Sequence, residues 1–149
     1  MSNPKSNARR AAVQALYQWQ ITGQSLNAIE QYFLEQQFFD DTLTVHKNFF
    51  STLFHGVPSD LVAIDALLSE FVDRDIEAVD PVERAILRLG AYELRHCADT
   101  PYKVIINESI DLAKHFGADG SHRYVNGILD KAAQKQRTEE IQRHHRQKE

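Results

Sequence analysis

At 149 residues, 42% hydrophobic and 26% charged, the chain has the size and make-up of one ordinary globular domain. Its 17 basic against 21 acidic side chains, a formal charge of −4, exclude a protein that is basic throughout, so any grip on nucleic acid has to come from a local patch. The single cysteine, Cys97, excludes an internal disulfide framework and suits a reducing cytosol; no apolar run approaches the roughly 20 residues of a membrane span, and no apolar stretch follows MSNPKSNARR as in a secretory signal.

In chain order, residues 1–8 read as a flexible arm, carrying Lys5 with Asn3, Pro4, Asn7 and two serines. Arg9 and Arg10 lead into a helix with Ala12, Ala15, Leu16 and Trp19 on its buried side and Tyr17 off that stripe; Gly23 ends it. Ser25 caps a second helix that buries Leu26, Ile29 and Phe33. Asp40 and Asp41 mark the start of a third, bearing Leu43, Phe49, Phe50, Leu53, Phe54 and Val57, with Gly56 and Pro58 as its break. The pattern resumes at Leu61, Ile64, Leu68 and Phe71.

Asp80-Pro81-Val82-Glu83 is a strong start signal: a capping aspartate, proline at the first helical position and a glutamate spaced to bond back. The helix it opens is apolar almost all round, with only Arg84, Arg88 and Arg95 as a charged stripe, which predicts a place in the middle of a bundle. Thr100 and Pro101 open the next helix, whose apolar face runs from Tyr102 through Ile105, Ile106 and Leu112 to Phe116, and Gly117 ends it in the left-handed conformation. From Ser121 another helix buries Tyr124, Val125, Ile128, Leu129 and Ala132. Residues 134–149 read as a polar tail. No segment alternates with period two, so the fold class is all-α, a compact helical bundle of about six to seven helices, with residues 9–133 as its one domain.

Signs of catalysis are missing from the pattern. There is no glycine-rich phosphate loop, CxxC pair or HExxH. His115, Asp119 and His122 flank one turn, but two histidines near a turn are more simply solvated than metal-bound. Cys97 suits packing, and Glu139 and Glu140 sit in the tail away from any pocket. The chain is therefore expected to be no enzyme and to need no cofactor or metal.

Three strings carry a family resemblance: AVQALYQWQ at Ala12–Gln20, VERAILRLGAYEL at Val82–Leu94, and above all PYKVIINESIDLAKHFG followed by SHRYVNGILDKA. Together they closely resemble the NusB family of bacterial transcription antitermination factors, over about Arg9 to Ala133. The resemblance implies two small helical sub-bundles packed together, a division that the Gly56–Pro58 and Asp80–Pro81 interruptions fit. It implies a cytoplasmic factor that binds boxA RNA in ribosomal-RNA leaders with NusE, a small-subunit ribosomal protein, and helps load a complex on RNA polymerase. Some members self-associate, so the free chain is a monomer or a weak homodimer. Two other readings stand beside this one. The first is a helical protein–protein adapter without RNA binding. The second is a detached RNA-binding domain of an rRNA methyltransferase, disfavoured because no glycine-rich βαβ unit appears by residue 149.

Three groups are candidate binding residues. Lys5, Arg9 and Arg10 precede any acid, and form either a solubilising terminus or a basic arm for RNA phosphates. The resemblance places an arginine-rich RNA-binding motif here, thinned by Ser6 and Asn7. Lys103, Asn107, Lys114, Arg123 and Asn126 share the polar faces of the C-terminal hairpin, with Phe116 and Tyr124 beside the turn; amides, cations and aromatics suit single-stranded RNA, although both rings also fall on apolar stripes. Family members contact RNA near this turn, where Gly120 stands for a residue that is often acidic. By resemblance, Tyr17, Glu83, Arg84 and Arg88 face NusE.

Overall fold

Asn3 opens the first helix: its side chain accepts hydrogen bonds from the Lys5 and Ser6 N–H groups at 2.9 and 3.2 Å, and Pro4 follows where a missing N–H costs nothing. The computed structural model describes residues 3–37 and 44–148, and among these the architecture is all-α. Eight α-helices follow in order: α1 (Pro4–Thr22), α2 (Leu26–Tyr32), α3 (Lys47–Ser59), α4 (Leu61–Ser69), α5 (Pro81–His96), α6 (Tyr102–Phe116), α7 (Ser121–Gln136) and α8 (Thr138–Lys148). A π-helical turn, Phe33–Gln37, continues α2, and a 3₁₀ turn, Ile76–Ala78, precedes α5.

The start of α1 corrects the expectation of a flexible arm, because residues 4–8 are helical and held. Asn7 is buried and donates to the Thr44 carbonyl at 2.8 Å, Ala8 is fully buried, and the Pro4 carbonyl accepts from the His46 N–H at 3.1 Å. The signal was local: a capping side chain followed by proline, Asn3-Pro4 here, is the kind of start that Asp80-Pro81 gives α5.

Gly23 ends α1 with φ 67° and Ser25 caps α2, both as expected. Asp40, Asp41 and Leu43, expected to start the third helix, lie outside the described residues. The described α3 opens instead with the His46 ring, whose Nδ1 accepts from the Phe49 N–H at 3.0 Å. Gly56 and Pro58 do not break α3, which runs on to Ser59. Gly56 serves packing: a Cβ there would lie 2.3 Å from the Tyr92 ring, so its absence lets α3 approach α5.

α5 is the hub, packed against α1, α3, α4, α6 and α7. Asp80 caps it as expected, accepting from the Val82 and Glu83 N–H groups at 3.0 and 3.2 Å. Glu83 does not bond back. Its carboxylate accepts the Ser121 hydroxyl at 2.7 Å instead, tying the start of α5 to the start of α7.

Two details of the C-terminal hairpin also differ from expectation. Thr100 does not cap α6; the Tyr102 N–H donates to the Glu140 carboxylate of α8 at 2.9 Å. Gly117 is extended (φ −87°), and the left-handed residue is Gly120 (φ 81°). Gly117 is required for space, since a Cβ would fall 2.6 Å from the Ser121 hydroxyl.

Residues 134–148 are no loose tail. α7 runs to Gln136 and α8 covers Thr138–Lys148 with Ile141 buried, a side chain whose burial contributes about 1.5–3 kcal/mol. At the junction the buried Arg137 donates to the carbonyls of Leu94, Cys97, Thr100 and Glu93 at 2.8, 2.9, 3.0 and 3.2 Å. Long-range side-chain-to-backbone bonds of this kind leave no trace in hydrophobic periodicity.

Candidate nucleic-acid interface

Burial and pairing divide the cations into two sets. Arg9 is 4% exposed; its guanidinium meets Glu93 at 2.8 Å and approaches Glu108 at 3.5 Å. Burial works against its charge, but Glu93 outweighs burial and holds the guanidinium's pKa above its ordinary value. Arg9 therefore ties α1 to α5 and is withdrawn from any RNA phosphate, which corrects its place in the basic arm. Lys5 and Arg10 remain exposed, with the Lys5 ammonium 5.4 Å from the centre of the Phe49 ring.

Arg84 and Arg88 are corrected in the same way. Arg88 is 3% exposed and donates to both Asp65 carboxylate oxygens (2.9 and 3.0 Å), to Glu77 (3.0 Å) and to Gln20 (2.9 Å). Arg84 donates to the Glu77 carbonyl at 2.9 Å. The arginine stripe of α5 faces α4 and the 3₁₀ turn. Leaving an arginine unpaired there would strand a buried charge, so these side chains serve the fold.

On α6, Lys103, Asn107 and Lys114 are exposed, as are Arg123 and Asn126 on α7. The start of α1 is joined to this face: the Ser6 hydroxyl donates to Glu108, next to Asn107, at 2.7 Å. Arg10 lies one turn beyond Ser6 on the same side of α1. A strip with Arg10 and Lys5 at one flank and Asn107, Lys103 and Lys114 along α6 is thus assembled from two helices far apart in sequence. Glu108, between the two helices, is engaged by Ser6 and Arg9, while Asp111 is exposed within the strip one turn after Asn107.

The two aromatic rings at the turn divide. Tyr124 is half-buried, its hydroxyl donating to Asp73 at 3.3 Å, and burial pushes its phenol pKa up. Phe116, also half-buried, lines an apolar groove of about 530 Å³ with Val13, Tyr17, Ile21, Tyr32 and Val82. Tyr17, Ile21 and Tyr32 are 41%, 55% and 46% exposed, a cluster of large apolar side chains left to solvent. Glu83 is not among the groove's lining residues but follows Val82 in α5. Sequence reading found Tyr17 but missed Ile21, although Ile21 lies one helical turn from Tyr17 and equally off the buried stripe. Tyr32 carried no such signal.

Among the described residues, no three of His, Cys, Asp and Glu gather as a metal-binding group, and no helix is long and apolar enough to cross a membrane. Cys97 is half-buried, and burial raises its thiol pKa.

Fold and surface together define a small all-α binding protein that presents a cationic strip across α1 and α6 and an apolar groove lined from α1, α2, α5 and α6. Residues 6–134 match the sequence profile of the NusB family, and the chain belongs to that family. It is 50% identical over 141 residues to the transcription antitermination protein NusB of Nitrosococcus oceani, covering 95% of this chain and 93% of that one. It is 51% identical over 128 residues to the protein of the same name from Idiomarina loihiensis (86% and 90% covered). T. maritima NusB superposes with a TM-score of 0.79 at 30% identity, over 95% of this chain and 99% of that one. A structure of the antitermination factors NusB and NusE in complex with dsRNA shares the fold at 21% identity, with a TM-score of 0.79 over 91% and 99% of the two chains.

Proposed function

We propose that this chain is a cytoplasmic transcription antitermination factor that acts without catalysis. It holds single-stranded boxA RNA of ribosomal-RNA leaders together with NusE and so supports assembly of an antitermination complex on RNA polymerase. Its relatives at about half identity carry the antitermination name, and a fold neighbour is a NusB–NusE complex with RNA. The observation that carries the RNA side of the reading is the strip. Lys5, Arg10, Lys103 and Lys114 stay exposed while Arg9, Arg84, Arg88 and Arg137 are consumed by the fold.

The apolar groove around Tyr17 and Val82, with Glu83 next in α5, is where NusE docks in this reading, and Phe116 touches both regions because it ends α6 and lines the groove. With a net charge of −4 and few free cations, the protein alone binds RNA weakly; NusE extends the surface. Titrating a boxA RNA with and without NusE tests this. Tighter binding with NusE is expected, and equal affinity in both cases would rule out the cooperative picture.

A further inference from the structure

α8 lies beyond the family-matched residues 6–134, and hydrophobic burial accounts poorly for its position. Eleven residues are too few for a helix to persist alone in water, and Ile141 is its buried apolar side chain among the described residues. Polar contacts set its place. Arg137 fixes the entry through the four carbonyls above, and Glu140 accepts from both Tyr102 N–H (2.9 Å) and Arg137 (2.5 Å). Burial alone would raise the Glu140 carboxyl, yet those two donors hold it below its ordinary value, so its negative charge is matched within the fold.

The consequence is an open groove of about 470 Å³. Glu140, Arg143, His144 and Gln147, spaced i, i+3, i+4 and i+7, form one wall; Tyr102 and Lys103 belong to the other. The Lys103 ammonium sits 2.8 Å from His144 Nε2. Arg143 is exposed and, among the described residues, holds no carboxylate at ion-pair distance; the same is true of Arg146 one turn on. Lys103 is shared with the α6 strip and stands one turn before Asn107. The groove therefore continues the strip, with two cations and a carboxylate already neutralised by Arg137.

We infer that α8 is a second RNA-binding element, whose groove takes a backbone phosphate of single-stranded RNA where the strand passes off the start of α6. The inference rests on the reading that the α6 strip contacts RNA. A phosphate is the occupant that the chemistry favours: Arg143 offers planar paired donors, Lys103 a point charge, and the groove lacks the deep apolar pocket that a protein anchor requires.

The test uses the full chain and two single-stranded boxA RNAs, one the core element and one extended by about six nucleotides at each end, with binding followed by fluorescence anisotropy. Arg143→Glu is expected to weaken the extended RNA about tenfold and to leave the core RNA unchanged. Arg143→Ala should lower the log–log salt slope for the extended RNA by about 0.7. Arg143→Lys should restore most of the affinity. Arg143 is exposed, so circular dichroism should show all three variants folded. Unchanged binding of the extended RNA by Arg143→Glu overturns the inference. If Asn107→Ala still weakens both RNAs in that case, the strip reading survives and only the α8 extension falls. If Asn107→Ala and Lys114→Ala also change nothing, the strip reading falls with it.

Discussion

Arg9 and Glu93 form a two-pronged ion pair, Nη2 and Nε each within 2.9 Å of a carboxylate oxygen, with side chains only 5% and 2% exposed. The pair joins the first helix to the hub helix and lies one residue from Arg10, which is open to solvent. Adjacent arginines therefore have opposite duties.

Substitutions should separate them. Arg9→Ala strands the Glu93 carboxylate, and breaking a buried pair from one side costs about 3–5 kcal/mol. Urea denaturation should show that loss, with any fall in RNA affinity following the fraction unfolded. Arg10→Ala should leave stability within about 0.5 kcal/mol and lower the salt slope of RNA binding by about 0.7. A stable Arg9→Ala protein would show that the pair is not needed.

The groove makes a different prediction. Tyr17→Ala removes a half-exposed ring that closes nothing in the core, so thermal stability should hold. Affinity for NusE, measured by calorimetry, should fall by about 2 kcal/mol or more if the ring is a buried anchor in the complex. RNA binding in the absence of NusE should not move. Unaltered NusE affinity would place the partner elsewhere.

Two glycines in helices should respond in opposite directions to alanine. At Gly90 in α5 a Cβ would lie 2.7 Å from a Leu129 methyl and 3.1 Å from the Ser109 hydroxyl, so overpacking of about 1–3 kcal/mol outweighs the helix-propensity gain of about 1 kcal/mol. At Gly127 in α7 nothing lies within 4 Å and φ is not positive, so alanine should stabilise by about 0.5–1 kcal/mol. Melting temperatures of the two variants check both signs.

Acid should loosen the molecule at two helix junctions. A hydrogen bond from Arg95, joined by one from His96, holds the Asp60 carboxyl below its ordinary 3.8. Burial pushes Glu140 the other way, but Tyr102 N–H and Arg137 bring it below its ordinary 4.5. Both groups keep their charge in the folded chain at pH values where the unfolded chain has taken up protons. Their stabilisation is therefore complete above the ordinary values and is lost as pH falls through the folded ones. Urea midpoints measured from pH 3 to 6 should drop toward acid, and the drop should be shallower in Asp60→Asn with Glu140→Gln. An identical slope in that variant would assign the acid sensitivity to other carboxylates.

From the one-dimensional string alone came the helical class, the caps at Ser25 and Asp80, the hub character of α5 and the exposed polar face of α6. Each is set by residues within a turn or two of each other, where spacing decides which side of a helix is wet. The string equally carried the Asn3–Pro4 cap, which composition disguised as a loose end. Which charges are spent was decided only in three dimensions. Arg9, Arg88 and Arg137 look like Arg10 and Lys103 in sequence, yet their partners Glu93, Asp65 and the carbonyls at the end of α5 lie 23 to 84 residues away. The reach of a guanidinium to a distant acceptor has no period, so only the packed helices could assign it. The same packing turned a polar stretch after residue 136 into a docked helix and set it beside Lys103.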